Sequence, residues 1–128
     1  MTMEIRADIE AMYRAGKIEF PAYAGRLSEV ATTVAAQTPV WASEAAKAQS
    51  PPALTKAIEL NDRITQLLTY AVQTWNDAAE TVVAITDDFV ATDEQAAVEA
   101  ASLQRECPEL ARPFEPVAIP RSKGVGTR

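Results

Sequence analysis

Few side chains in this sequence are of the types that catalysis or metal binding usually needs. The 128 residues contain no histidine and one cysteine, Cys107. Histidine is the commonest proton shuttle and metal ligand, and one cysteine can form neither an internal disulfide nor a zinc cluster. Because no histidine is present to activate the thiol, we predict that Cys107 is not a catalytic nucleophile.

Acidic residues form the densest cluster of ionisable groups: Asp87, Asp88, Asp93 and Glu94. Adjacent side chains on a helix point about 100° apart, so Asp87 and Asp88 do not make a carboxylate pair. Carboxylate di-iron bundles require Glu-x-x-His pairs, which a chain without histidine lacks. We interpret the cluster as a solvated or partner-facing surface, and we predict no enzyme activity, no catalytic residue, no metal site and no cofactor.

The charge distribution argues against nucleic-acid binding. The net charge is −6, and the stretch 64–104 has seven acidic residues and no basic one. A nucleic-acid interface needs basic residues along its contact face. Residues 1–120 have 9 basic and 18 acidic residues, and the excess of basic residues at the end of the chain consists of Arg121, Lys123 and Arg128. No apolar run approaches the roughly 20 residues that span a bilayer, so we predict no stable membrane insertion.

The hydrophobic pattern predicts the elements that carry these residues. Apolar side chains recur mostly at steps of three and four over residues 5–41 and 54–89, which is the spacing of one helical face. Between them, Ser50 is suited to an N-cap and Pro51 to a first helical position. A short connection makes two long helices run antiparallel. We therefore predict an all-α fold, a long antiparallel two-helix hairpin over residues 1–107.

Proline positions predict where this hairpin is interrupted. Pro21 removes one backbone hydrogen bond and either kinks the first helix or begins it anew. Thr38-Pro39 is typical of a cap followed by a first-turn proline, so the chain either starts a separate short helix over residues 39–48 or kinks there. The second helix has neither proline nor glycine between Ala53 and Cys107, so we expect it to be uninterrupted. Residues 108–128 are rich in proline, and we predict a flexible, disordered C-terminal tail.

The second helix has more apolar surface than one neighbouring helix can cover. Beside its main stripe lies a second row, which we predict to form a partner interface: Ile58, Leu60, Leu67, Val72, Val83 and Val90. A single two-helix seam cannot bury both rows. We therefore expect a homodimer or a heterodimer with a similar helical hairpin, packed as a four-helix bundle.

Two short motifs carry a resemblance to a known family. Trp41-Ala42-Ser43 falls late in the first predicted helix, and the stretch from Phe89 to Asp93 falls late in the second. Together with the hairpin and the lack of a signal-peptide pattern, they resemble the WXG-type family of type VII (ESX) secretion substrates, and residues 89–97 resemble its EspC-like actinobacterial members. Trp41 and Ser43 occupy the positions of the family's Trp-x-Gly turn. Phe89 and Asp93 occupy those of its Tyr-x-x-x-Asp/Glu export motif.

The resemblance implies a small non-enzymatic protein that pairs with another helical protein for export. It implies secretion without a cleavable signal peptide, and as partners it implies a second hairpin, a larger type VII effector or the secretion machinery. An alternative stays open from the residue pattern alone. An acidic second helix also suits a cytosolic four-helix-bundle adaptor, chaperone or immunity-type protein that binds a basic partner.

Overall fold

A computed structural model describes residues 2–47 and 52–119, so the predicted capping by Ser50 and Pro51 and the last nine residues lie outside the described part. The described residues form five α-helices: α1 (Thr2–Arg14), α2 (Phe20–Ala35), α3 (Gln37–Lys47), α4 (Pro52–Thr92) and α5 (Glu94–Glu106). A π-helical turn, Ala15–Glu19, joins α1 to α2, and a 3₁₀ turn, Pro108–Leu110, follows α5. No strand occurs in these ranges, and the all-α prediction is confirmed.

The first helix continues through Pro21 by means of the π turn. The Phe20 N–H donates to the Ala15 carbonyl, one residue farther back than in an α-helix, and Phe20 keeps helical dihedrals (φ −64°, ψ −43°). This wider turn comes directly before Pro21, which has no N–H to donate. Pro21 therefore does not begin the helix anew.

Gly16 allows this part of the chain to approach α4 closely. A Cβ at Gly16 would lie 2.6 Å from the Val83 Cγ2 and 3.1 Å from the Ala79 carbonyl oxygen. A β-carbon essentially never comes as close to another heavy atom as 2.6 Å. The glycine is therefore required by packing, although in the sequence it only interrupts an apolar stripe.

The first long stretch ends where the prolines indicated a new helix. α2 ends at Ala35, and one turn residue, Ala36, separates it from α3. Thr38 and Pro39 lie in the first turn of α3, where a missing backbone donor costs no helical hydrogen bond. Of the two alternatives at Pro39, a kink or a separate short helix, the structure has the separate helix.

The expectation of an uninterrupted second helix is wrong, because the chain breaks at Asp93. This residue has extended dihedrals (φ −124°, ψ 119°), and its carboxylate accepts a hydrogen bond from the Ala96 N–H at 2.9 Å. Aspartate is a favoured N-cap, since its side chain satisfies a donor that the first helical turn leaves without a partner. α5 therefore begins as a new helix that packs against α1, and the described chain is not a simple two-helix hairpin.

The chain divides into two compact units that each combine early and late segments. Among the described residues, unit 1 comprises 2–23 and 74–117, and unit 2 comprises 24–47, 52–73 and 118–119. The sequence predicted a different division, a hairpin followed by a tail from residue 108. Residues 108–117, which the proline content predicts to be tail, belong to unit 1.

The core of unit 1 involves α1, α4 and α5. Its buried side chains are Ile9, Tyr13, Val83, Ala96, Ala100, Leu103 and Leu110. Tyr13 lies beside Asp87, and Gly16, one turn later, lies beside Val83. As the residue number in the first segment increases, the number of the α4 residue beside it decreases. The two segments therefore run antiparallel within the unit.

The proximal part of the predicted tail packs against unit 1. Leu110 is completely buried, and Phe114 packs against the same core. The Lys17 ammonium donates to the Leu110 carbonyl at 2.8 Å. Asn76, itself buried, donates to the Val117 carbonyl and accepts from the Val117 N–H, both at 2.9 Å. The predicted tail thus has partners in unit 1 as far as Val117, in both its apolar side chains and its backbone.

Unit 2 is packed with small and polar side chains. Ala24, Ala31 and Val72 are completely buried, and Asn61 is buried as well. The Asn61 amide donates to the Val34 carbonyl at 2.7 Å and to the Thr38 hydroxyl at 2.9 Å. Because both N–H donors of this amide are satisfied, its burial leaves no uncompensated donor.

Candidate partner-binding surfaces

The buried residues of α4 are only partly those that the apolar pattern predicts. Three polar residues of this helix are buried: Asn61 in unit 2, and Asn76 and Thr86 in unit 1. Each donates a hydrogen bond to a backbone carbonyl, so none carries the cost of an unpaired buried polar group. With polar residues turned inward, several apolar residues of α4 are left on the surface.

The six residues predicted to form a partner interface do not share one exposed face. Three of them are covered by the chain itself: Val72, Val83 and Val90. These three correct the prediction, because they belong to the packing of the chain's own units. Ile58 is half-buried. Leu60 and Leu67 are 61% and 64% exposed, so the prediction of a partner-facing role stays open for this pair.

Leu60 and Leu67 lie on one face of α4 together with Ile64, and we call these three residues the α4 apolar face. They are separated by steps of four and three, which bring side chains onto one side of a helix. Ile64 belongs to the main stripe of the predicted hairpin, yet it is 39% exposed. The α4 apolar face is thus open surface of unit 2.

The two basic residues of α4 border this face. Lys56 and Arg63 are each exposed, and each lies within one turn of Leu60. Glu59 is also exposed, but on a helix it projects farther from the centre of the apolar face than the two basic side chains do. The α4 apolar face therefore has a basic edge, although the chain as a whole is acidic.

Two of the four residues of the acidic cluster accept hydrogen bonds through their side chains within unit 1. Asp87 accepts a hydrogen bond from the Tyr13 hydroxyl at 2.6 Å, and Asp93 caps α5. Asp87, Asp88 and Glu94 are exposed, and Asp93 is half-buried. Half of the cluster thus serves packing and capping in unit 1.

The two family-like motifs lie in different structural settings. Trp41 and Ser43 are both within α3, which continues to Lys47, so the tight turn that the resemblance implies for this motif is replaced by helix. Phe89 is in the last turn of α4 and 38% exposed, and Asp93 follows directly after the end of α4. The chain thus presents the aromatic residue of the second motif on its surface and uses the acid for a helix cap.

Titratable groups of unit 1 connect α1 with α4 and with the segment after α5. Burial, reinforced by the hydrogen bond to Asp87, raises the pKa of Tyr13. Burial lowers the pKa of Lys17, whose ammonium lies 4.5 Å from the centroid of the Tyr13 ring. Arg14 donates to the Cys107 sulfur at 3.5 Å and pairs with Glu10 at 2.8 Å. These groups hold elements of unit 1 together.

Within residues 2–47 and 52–119, no three His, Cys, Asp or Glu side chains are grouped so that they could hold a metal ion. None of the helices in the described part of the chain has the length and apolarity needed to cross a membrane. Comparison with protein-family models, with curated proteins and with solved structures finds no match to this chain. The resemblance to type VII substrates therefore remains a prediction from the two motifs.

Proposed function

We propose that this chain is a small non-enzymatic helical protein that works by pairing with another helical protein. The observation that carries the proposal is the α4 apolar face, where more than half of the surface of Leu60 and of Leu67 is exposed to solvent. Exposed aliphatic side chains on successive turns of one helix are typical of helix-in-groove and coiled-coil interfaces. A partner helix would remove this face from water, at a gain of about 25 cal/mol per Å² of apolar surface.

The setting that the sequence motifs favour is type VII secretion. In this proposal the chain pairs with a second hairpin, a larger effector or a component of the machinery, and it leaves the cell without a cleavable signal peptide. The exposure of Phe89 at the end of α4 supports the proposal, because a residue of an export motif must be reachable by the machinery that reads it.

Culture fractionation tests the proposal in a host with a working type VII system and in a matched strain without the secretion ATPase. We expect the chain in the medium of the first strain only, together with a helical partner that co-purifies with it. Leu60→Asp combined with Leu67→Asp should abolish co-purification. Val98→Asp is the matched control, because Val98 is equally exposed (66%) but lies on α5. Retention of the wild-type chain in the cytosol without a partner would contradict the proposal.

A second candidate is a cytosolic four-helix-bundle adaptor, chaperone or immunity-type protein for a basic partner. It is favoured by the second half of α4, where Ile85 and Phe89 are exposed near the exposed carboxylate of Asp88. In that case the chain stays in the cytosol, and Ile85→Asp disrupts partner binding while Leu60→Asp does not. The same fractionation and the two substitutions distinguish the candidates.

A further inference from the structure

We propose that the α4 apolar face binds an amphipathic helix with acidic flanks, an inference that rests on the partner-binding function proposed above. In a heptad with Ile64 at position a, Leu60 and Leu67 occupy d positions, and Lys56 and Arg63 both occupy g positions. Residues at g border the seam of a helix pair. Both basic side chains therefore lie where they meet the flank of a docked helix.

The basic edge formed by Lys56 and Arg63 sets the charge of the partner. These are the two basic residues of α4, and the helix carries only acidic charges from residue 64 onward. Glu59 occupies position c, farther from the seam than g, and does not stand between the basic side chains and a docked helix. Among the described residues, neither Lys56 nor Arg63 forms an ion pair with another side chain.

A partner helix with carboxylates on its flank meets both requirements of this surface. Its aliphatic seam covers Leu60, Ile64 and Leu67, and its acids face Lys56 and Arg63. Charges that border an apolar seam contribute mainly to the choice and orientation of the partner. The apolar face thus supplies affinity, and the basic edge selects an acidic helix over a basic one.

A second copy of the same face is a poorer occupant. In an antiparallel pair, g positions face g positions, so the basic edge would meet the basic edge of the copy. In a parallel pair, g faces e, and the e positions here are Asn61 and Leu68. Asn61 is buried and Leu68 is half-buried. Neither side chain has a carboxylate that could pair with Lys56 or Arg63. Charge complementarity therefore points to a different helix.

The experiment measures binding of the full chain to two fluorescently labelled synthetic helices, each about four heptads long. Both have leucine and isoleucine at a and d; one has glutamate and the other lysine at every e and g. The loss of binding in the Leu60→Asp, Leu67→Asp double variant measures how much binding depends on the α4 apolar face. Circular dichroism verifies that substitution of these exposed residues leaves the fold intact. Lys56→Glu with Arg63→Glu tests the edge, and Lys47→Glu with Arg105→Glu is the matched control elsewhere on the chain.

We expect face-dependent binding of the glutamate peptide, weakened about tenfold by reversal of the edge and unchanged by the control reversal. Equal face-dependent binding of both peptides overturns the acidic partner and leaves the pairing function standing. A third outcome is that sedimentation shows self-association that is lost in the Leu60→Asp, Leu67→Asp variant, while neither peptide binds through the face. That result overturns the acidic partner in favour of a second copy of the chain. If neither peptide binding nor self-association depends on the face, the proposed function fails as well.

Discussion

Replacing Leu110 with alanine tests whether the chain after Cys107 belongs to the folded protein. Proline content predicts a flexible segment here, whereas the structure buries Leu110 completely against the core of unit 1. Leu→Ala at a fully buried site costs about 2–5 kcal/mol, from lost transfer free energy and from the cavity left behind. Leu110 lies in a short 3₁₀ turn that can relax into the cavity, so we expect about 2–3 kcal/mol.

The assay is urea denaturation followed by circular dichroism, with the free energy of unfolding taken from linear extrapolation. The matched control is Leu60→Ala, the same substitution at a residue that is 61% exposed, which should change stability by less than about 0.5 kcal/mol. In a thermal scan, we expect Leu110→Ala to lower Tm by about 10 °C. If the two variants are equally stable, Leu110 is not packed and the segment is a tail after all.

Substitutions at three further positions, Gly16, Asp93 and Tyr13, test packing, capping and titration. Gly16→Ala should destabilise the protein by about 1–3 kcal/mol, because its Cβ would meet Val83, whereas Gly25→Ala, with open space around it, should stabilise it by about 0.5–1 kcal/mol in a thermal melt. In urea denaturation, Asp93→Ala should lower the free energy of unfolding by about 1 kcal/mol and Asp93→Asn by much less, because asparagine is also a favoured N-cap. Equal losses in the two variants would show that the capping hydrogen bond is not the source of the stabilisation. Because the pKa of Tyr13 is raised above 10.0 in the folded state, the hydroxyl's contribution is complete below roughly pH 10 and is lost as the pH rises further. The stability difference between wild type and Tyr13→Phe should therefore shrink above roughly pH 10, and a constant difference would refute this linkage.

Local patterns account for some of the helix boundaries. The spacing of apolar residues predicts helices in both halves of the chain, and Thr38-Pro39 indicates either a kink or a new helix where α3 begins. The break at Asp93 also had a local signal, since aspartate is a favoured N-cap and a poor residue for a helix interior. Periodicity alone missed it, because apolar spacing does not show where a side chain satisfies a backbone donor.

The candidate partner surface was only partly predictable. Leu60 and Leu67 belong to the apolar row that exceeds what one helix neighbour covers, and they are exposed. Val72 and Val83 belong to the same row and are buried. The sequence pattern treats these four residues alike, because it cannot show which direction of α4 the rest of the chain occupies.

The amino-acid sequence by itself determines that the described chain is helical, and it predicts a lack of catalytic chemistry. Only the tertiary structure decides which side of α4 is buried and where the chain after Cys107 lies. The physical reason is that both depend on buried amides whose partners are distant in sequence. Asn61 bonds to Val34, 27 residues away, and Asn76 bonds to Val117, 41 residues away. A polar side chain is stable inside when such a partner is present, and that partner is found only once the chain has folded.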